Sequence, residues 1–377
     1  MDYEILRVLW WVLLGVLLIG FTLLDGFDLG MGALLPFVGK TDEERRILIN
    51  SIAPVWEGNQ VWLILGIGAS FAAWPFLYAA AFSGLYSGIF LLLFSLILRP
   101  VGFKFRSKMP HLIWRQTWDW ILCLGGSIPS FMFGVIVGNL FTGLDFHFDG
   151  NLRLFINVSL WDLWTPFSVG CGFLSLSMMV LQASTYGGLK TRGILQTRFK
   201  RVGKYSILCI ALLFALGGFW LMKEIPGFIL REPWLQNGPS NPLYKEVVRS
   251  QSWMINYEKY PWIFGFPLSV YFFLIVSFIT LHLKKWGLSF IGSSLVIVGI
   301  MITVGVTLFP FLLPSSTFPS HSLTVWDASS SKTTLFVMLV ATLIFMPLVG
   351  GYTIWVYRVL RGPVTPKTLE DESLNAY

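Results

Sequence analysis

Apolar stretches long enough to cross a lipid bilayer recur along the whole chain. About 20 apolar residues span the hydrocarbon core as a helix, and nine stretches reach that length: 6–38, 48–73, 76–98, 120–142, 163–185, 204–222, 261–283, 288–312 and 335–358. Only helices and closed barrels satisfy their backbone hydrogen bonds in lipid. The pattern therefore predicts an all-α polytopic membrane protein with nine transmembrane helices, in one integral membrane domain over residues 1–377.

The composition of the 377-residue chain supports this prediction. The chain is 55% hydrophobic and only 12% charged, whereas soluble globular proteins are about a quarter charged. Many of the 17 Trp residues lie at the ends of apolar stretches, as expected for aromatic side chains at the membrane–water interface. The three Cys residues lie inside apolar stretches without a Cys–His cluster, so we predict neither a disulfide framework nor a metal site.

The positive charges are divided unevenly between the two sides of the membrane. Most of the 27 Lys and Arg residues fall in the loops after the odd-numbered stretches. Such loops stay in the cytoplasm, so we predict a periplasmic N-terminus, an outer loop at 224–260 and a cytoplasmic tail at 359–377. The net charge of +7 is then a topology signal. Because no nucleic-acid motif accompanies it, we expect no nucleic-acid partner.

Three acidic residues lie deep inside the first two apolar stretches. Asp25 and Asp28 are three residues apart, so they share one face of a helix, and Glu57 lies at a matching depth in the second stretch. A charged side chain at the bilayer centre costs about 3 kcal/mol or more and commonly marks an ion or proton path. Pro54 would free a backbone carbonyl nearby. We therefore predict a polar lane that carries protons or cations inward from the cytoplasm.

Two other charged residues receive structural interpretations. Arg99 precedes Pro100 at the end of the third stretch, and we interpret it as an anchor whose long side chain reaches the membrane surface. Asp119 lies at the edge of the fourth stretch, where we interpret it as a capping acid near a helix start.

The histidines limit the redox chemistry that this chain can support alone. Haem iron needs axial ligands, usually His, Met or Cys. The four His residues lie in predicted loops or at a helix end: His111, His147, His282 and His321. Because none is in the middle of a predicted span, we expect no haem held between two histidines in the membrane core of this chain.

The buried acids leave two other functions open. A secondary transporter could use them to couple transport to protons or cations, but such proteins carry interrupted helices in two corresponding halves, and no matching second half is visible. Alternatively, the acids could be purely structural, held by hydrogen bonds where this chain packs against a partner subunit.

Five sequence blocks resemble one protein family. They are DGFDLGMGALLPF from residue 25, NSIAPVWEGNQVWLI from 50, AAWPFLYAAAFSGLY from 72, RPVGFKFRSK from 99 and FPFLLPSSTFPSHSLTVWDASS from 309. The family is subunit II of the cytochrome bd quinol oxidases, and the likeness extends from the first helix to the closing LNAY. Each block alone would be weak, but together they are highly specific.

The resemblance implies a multi-pass subunit of a terminal oxidase in the bacterial inner membrane, which oxidises quinol and reduces dioxygen to water. The implied fold is two four-helix bundles plus one peripheral helix. The haems of the complex, of b and d type, are expected to be ligated by subunit I. The implied partners are subunit I, a small single-helix subunit, quinol and membrane lipid, and a quinone bound to subunit II itself is left open.

The resemblance also implies a path for the protons that dioxygen reduction consumes. It maps onto Asp28 and Glu57, with Asp25 beside them and with Lys108 and the terminal Tyr377 near the entrance. Relatives commonly carry Asp in place of Glu57. Electrons from quinol oxidised at the outer side and protons from the cytoplasm would charge the membrane without a pump.

Overall fold

The structure, a computed structural model, describes residues 1–232 and 236–365, and these are mainly helical. The helices are α1 Tyr3–Val38, α2 Asp42–Ile52, α3 Trp56–Ala73, α4 Pro75–Gly84, α5 Tyr86–Phe105, α6 Leu112–Thr142, α7 Pro166–Lys190, α8 Ile194–Lys223, α9 Ile255–Lys259, α10 Gly265–His282, α11 Trp286–Leu308 and α12 Lys332–Val359. Short antiparallel hairpins pair β1 Phe146–Phe148 with β2 Leu154–Ile156, β3 Gly227–Leu230 with β4 Val247–Ser250, and β5 Phe311–Leu313 with β6 Leu323–Thr324.

Within residues 1–232 and 236–365, eight helices are long and apolar enough to cross a membrane: α1, α5, α6, α7, α8, α10, α11 and α12. They correspond to eight of the nine predicted spans, which confirms a multi-pass, all-α membrane protein. The predicted span 76–98 is divided at Leu85, so its first part is α4 and only α5, which continues to Phe105, is long enough to cross. The connections at 39–41, 191–193 and 283–285 share one side of the helices, where Arg198 donates to Val38 O and Lys200 Nζ donates to His282 O. This side, predicted to be cytoplasmic, is called the basic side below.

The remaining predicted span, 48–73, is divided into α2 and α3 by a break at 53–55. Pro54 has no N–H to donate to the carbonyl four residues before it, so the helix cannot continue through it. With 18 residues, α3 is about 27 Å long at 1.5 Å per residue. Its first turns also carry Glu57, Asn59 and Gln60. The count of nine spans therefore stays a prediction.

The long helices form two bundles and one outlying helix. In the first bundle α1 packs on α3 and α6, and α6 packs on α5. In the second, α7 and α10 each contact both α8 and α11. Both α1 and α6 also pack on α7 and join the bundles. This confirms the expected fold of two four-helix bundles plus a peripheral helix, α12.

Small residues let α1 approach its neighbours closely. A Cβ added at Gly30 would lie 2.1 Å from the carbonyl oxygen of Met179 in α7, and one at Gly126 would lie 2.3 Å from that of Leu29. No real Cβ atom approaches backbone so closely. Glycine at these positions brings α6 and α7 against the part of α1 that carries the acids, as small residues do between membrane helices.

The peripheral helix α12 is attached mainly at its two ends. At one end the indole of Trp10 donates to the carbonyl of Leu335 at 2.9 Å. At the basic end Lys190 Nζ donates to the carbonyl of Leu360 at 2.6 Å, and Val364 N–H donates to Lys190 O at 2.8 Å. Most of the helix between these ends is exposed. The chain after α12 is thereby tied across the end of α7.

The side opposite the basic side is anchored by a buried arginine. Arg7, fully buried near the start of α1, donates to Ser329 Oγ at 2.8 Å, to Gly238 O at 3.0 Å and to Gln236 O. Its guanidinium also lies 3.6 Å from the ring centroid of Tyr3. Charge-assisted hydrogen bonds of this kind are stronger than neutral ones, so α1 and the loop around residue 238 are held as one unit.

Candidate functional site

Asp25 is held by an arginine inside the membrane part of the protein. Arg99 donates from Nη2 to Asp25 Oδ1 at 2.7 Å and from Nη1 to Asp25 Oδ2 at 2.9 Å. Asp25 is fully buried and Arg99 is 2% exposed. A two-pronged pair of this type is strong and directional. The interpretation of Arg99 as a surface-reaching anchor is therefore wrong: its side chain turns inward because the buried carboxylate needs a counter-charge.

Asp28 lies one turn further along α1 but has a different environment. Its Oδ2 accepts a hydrogen bond from Asn59 Nδ2 of α3 at 2.7 Å. Its Oδ1 is buried and has no hydrogen-bond partner among the described residues. None of the ion pairs among the described residues includes Asp28. The two acids of α1 are thus unequal, since Asp25 is neutralised by Arg99 and Asp28 has only an amide.

Asn59 connects Asp28 to the peripheral helix. The hydroxyl of Tyr357, in the last turn of α12, donates to Asn59 Oδ1 at 2.9 Å. Asn59 Nδ2 also lies 3.2 Å from the carbonyl oxygen of Leu24. The sequence showed Asn59 as a polar neighbour of Glu57 but did not single out Tyr357, because a tyrosine at the end of an apolar stretch is usual at a membrane interface.

A cavity of about 200 Å³ opens next to Tyr357 at the basic side. Ser51, Pro54 and neighbouring residues from the break between α2 and α3 line one wall. Tyr186 and Lys190 of α7 line another, and residues 359–364 cover it. The Tyr186 hydroxyl donates to the carbonyl of Ser51 at 3.1 Å. The helix break therefore places polar groups at the edge of the membrane part, as a hydrated entrance requires.

Glu57 does not join the buried acids. Its side chain is exposed on the outward face of α3 and has no hydrogen bond or ion pair with any described residue. Val61, Ile64 and Phe71 on the same face are also exposed, by 45%, 64% and 58%. The predicted lane is therefore divided by α3, with Asp28 and Asn59 on its inner side and Glu57 on its outer side.

Of the two predicted entrance residues, Lys108 and Tyr377, the structure describes Lys108 alone. Lys108 is exposed at the basic side, at the end of the short 3-10 turn that follows α5. Tyr377 lies outside the described residues. Near Lys108, Asp119 proves to be inside α6 and buried, with Arg106 Nε at 2.5 Å and Arg45 Nη1 at 2.7 Å. Its interpretation as a helix cap is wrong because α6 begins seven residues earlier, at Leu112.

A larger cavity of about 610 Å³ lies between the two bundles. Its walls are almost entirely apolar, with Phe21, Met178, Met179, Phe214 and Ile300 among the lining residues. The lining contains no His, Lys or Arg, so it offers neither a histidine ligand for haem iron nor a cation for the haem propionates. With no histidine ligand and no cation for the propionates, the lining suits a long apolar molecule better than haem, although its Met residues and Cys171 belong to the residue types that can ligate haem iron.

The fold and the buried acids define a multi-pass helical membrane protein with a buried polar cluster in its first bundle. Comparison with known proteins gives the family. The chain matches cytochrome bd terminal oxidase subunit II over residues 6–360 and belongs to that family. It is thus a subunit of a respiratory oxidoreductase.

The chain is similar to three curated proteins along nearly its whole length. It is 42% identical to cytochrome bd-I ubiquinol oxidase subunit 2 of Escherichia coli K12, with 100% of both chains covered. It is 40% identical to the probable cytochrome oxidase subunit 2 of Haemophilus influenzae, again with 100% of both chains covered. It is 32% identical to cytochrome bd ubiquinol oxidase subunit 2 of Bacillus subtilis, covering 96% of this chain and 98% of the relative.

A solved structure shows the same fold. The bd oxidase of Geobacillus thermodenitrificans superposes with a TM-score of 0.71, covering 94% of this chain and 98% of that chain, at 15% sequence identity. The similarity to a bd oxidase chain agrees with the two-bundle arrangement that the sequence resemblance implied.

Proposed function

We propose that this chain is the subunit of a quinol-oxidising cytochrome bd complex that brings protons from the cytoplasm for the reduction of dioxygen to water. Asp28 and Glu57 take up and pass the protons. Asp25 positions Arg99 beside Asp28. The basic side is cytoplasmic, in a bacterial inner membrane with the N-terminus in the periplasm, and Lys108 and Tyr377 stand near the entrance. The complex charges the membrane without pumping.

The observation that carries this proposal is the state of Asp28. It is a carboxyl group 1% exposed, with one oxygen bound by an amide and the other without a hydrogen-bond partner among the described residues. A buried polar atom without a hydrogen bond costs about 1–3 kcal/mol, so a purely structural acid would be expected to have both oxygens satisfied. A carboxyl that binds and releases a proton needs one oxygen accessible to the proton donor.

Glu57 supports the proposal from the outer face of α3. A charged side chain facing lipid is costly, and intramembrane acids almost always face protein or water. Glu57 is surrounded by exposed apolar side chains, so this face needs a protein cover. We assign the cover to subunit I, the partner that the family name implies, and Glu57 then delivers protons across the contact.

The haems and the quinol belong to the same proposal. The family carries haem in its complex, and we assign the ligands of the b-type and d-type haems to subunit I because the lining of the large cavity of this chain has no His ligand and no cation for the propionates. That cavity suits the isoprenoid chain of a quinone, which we propose as its occupant. A small single-helix subunit and membrane lipid complete the expected partners.

The test is quinol-driven oxygen consumption by the purified complex of this chain with subunit I. Asp28→Asn and Glu57→Gln are each expected to lower turnover by roughly a hundred-fold, the lower end of what a positioned proton donor contributes, while haem absorption stays at the wild-type level. Glu258→Gln is the matched control, since it neutralises an exposed acid in α9, far along the chain from the site.

Other results identify the rival functions. Full turnover and full haem in both variants would remove the proton path and leave this chain a structural partner of subunit I. Loss of haem in both would show that the acids hold the assembly together. A purified complex without any haem, able to move a substrate with protons, would indicate a transporter.

A further inference from the structure

The hydrogen bonds around Asn59 have a fixed direction. Both hydrogen-bond partners of its Nδ2, Asp28 Oδ2 and Leu24 O, are acceptors. Turning the amide over would place Asn59 Oδ1 against these two oxygens. The amide nitrogen therefore stays on the side of α1, and Oδ1 faces Tyr357, whose hydroxyl donates to it.

This arrangement distinguishes the two oxygens of Asp28. Oδ2 is occupied by the amide, so Oδ1 is the atom at which a proton or a water molecule can be accepted. At the other end, the Tyr357 hydroxyl donates its hydrogen to Asn59, so its oxygen remains able to accept a hydrogen bond, and Tyr357 is one of the residues that line the cavity. The line from Tyr357 through Asn59 to Asp28 crosses α12, α3 and α1.

The cavity beside Tyr357 is suited to water. Its volume of about 200 Å³ far exceeds the roughly 15 Å³ that one water needs, and a buried water needs two to four polar partners. The polar lining includes Ser51, Tyr186 and Lys190. The cavity lies at the basic side and is bounded by the break between α2 and α3, where backbone can be hydrated.

We propose that Tyr357 and Asn59 are positioning residues that present Asp28 Oδ1 to protons arriving through water in this cavity. The proposal rests on the proposed function and adds the entrance on the inner side of α3, separate from Glu57. The step is a proton transfer alone: an O–H bond of a water chain breaks as an O–H bond forms at Asp28 Oδ1. No electrons move, and Tyr357 is neither oxidised nor deprotonated.

The experiment combines turnover with infrared spectroscopy of the complex with subunit I. Difference spectra between two pH values contain the carbonyl bands of protonated carboxyl groups, and the band of Asp28 is the one that Asp28→Asn removes. Tyr357→Phe deletes the donor to Asn59 and weakens its bond to Asp28, because hydrogen-bond chains polarise one another. We expect that band to change frequency and turnover to fall about five-fold, the equivalent of one hydrogen bond of about 1 kcal/mol.

The matched control is Tyr352→Phe, one and a half turns earlier on α12, where the ring is 65% exposed. It should leave both the band and turnover unchanged. If Tyr357→Phe reduces haem content, Asn59→Ser replaces it as the test variant, since it shortens the side chain by two heavy atoms and removes the amide from Asp28. That variant is expected to shift the same band.

Two results would overturn the inference. One is an Asp28 band that keeps its wild-type frequency in a haem-replete Tyr357→Phe or Asn59→Ser complex. The other is the absence of any band that Asp28→Asn removes, since Asp28 would then not take up a proton. The two levels of the proposal fail differently: full turnover in Asp28→Asn refutes the proton path itself, whereas full turnover in Tyr357→Phe alone refutes only this entrance.

Discussion

Removing Arg99 should destabilise the protein far more than removing both partners of its ion pair. At 2.7 Å and an effective dielectric constant of about 20, the attraction between Arg99 and Asp25 is about 6 kcal/mol. Desolvation of the two ions offsets most of this, at several kcal/mol per ion. Arg99→Gln leaves the fully buried Asp25 without a cation, and breaking a buried pair in this way costs about 3–5 kcal/mol.

The assay is the unfolding midpoint of the detergent-solubilised complex, followed by its haem absorption. We expect a lower midpoint for Arg99→Gln and for Asp25→Asn, and recovery of most of the loss in the double variant, because neither charge then remains unpaired. Arg231→Gln is the control: its pair with Glu246 is more than half exposed, and such pairs contribute about 0–1 kcal/mol. A double variant as unstable as the two single losses combined would refute the reasoning.

Two further outcomes follow from packing and from protonation at the opposite side. Gly126→Ala should lower the free energy of unfolding by about 1–3 kcal/mol through overpacking against α1 and lower the yield of haem-containing complex. Gly15→Ala is the control, because no atom lies within 4 Å of its added Cβ. Equal yields of the two variants would contradict the close helix contact. Burial, followed by two neighbouring basic side chains, lowers the pKa of His321, whose Nδ1 accepts the N–H of Phe148 at 3.1 Å. Because the folded pKa lies below the unfolded value of about 6.5, this contact is fully present above that pH and is lost as pH falls. Hydrogen exchange in β1, corrected for its intrinsic rate, should therefore quicken below about pH 6.5 in wild type but not in His321→Asn. The same acid response in the variant as in wild type would contradict this role of His321.

The membrane helices could be predicted from the sequence because bilayer thickness sets a length that each apolar stretch must meet. The break in the second stretch was also accessible, since Pro54 removes a backbone donor whatever surrounds it. The burial of Asp25 and Asp28 followed from the cost of exposing a charge to lipid. The spans, the helix break and the burial of the acids depend on local sequence and on the surrounding lipid or water, so they can be predicted without knowing how the helices pack.

The partners of the acids could not be predicted in the same way. Arg99 is 74 residues from Asp25, and only the packing of the first bundle brings them together. The exposure of Glu57 depends on the rotation of α3 about its axis. In a membrane helix both the lipid side and the protein side are apolar, so the hydrophobic pattern does not show which face is inward. Tyr357 was missed because an aromatic residue at the end of an apolar stretch is usual at a membrane interface and does not indicate a buried contact.

The attachment of α1 at Arg7 and at Asp25 has a consequence for how this chain can vary. Arg7 anchors the helix at the side opposite the basic side and Asp25 anchors it near its middle, and 18 residues at 1.5 Å per residue place these anchors about 27 Å apart. Inserting or deleting one residue between them would rotate one anchor by about 100° relative to the other, and either the contacts of Arg7 with the loop around residue 238 or the ion pair would be lost. Substitutions between the anchors can be absorbed by neighbouring side chains, but a change in length cannot. The number of residues between Arg7 and Asp25 is therefore fixed by the two contacts, whereas the identity of most of these residues is not.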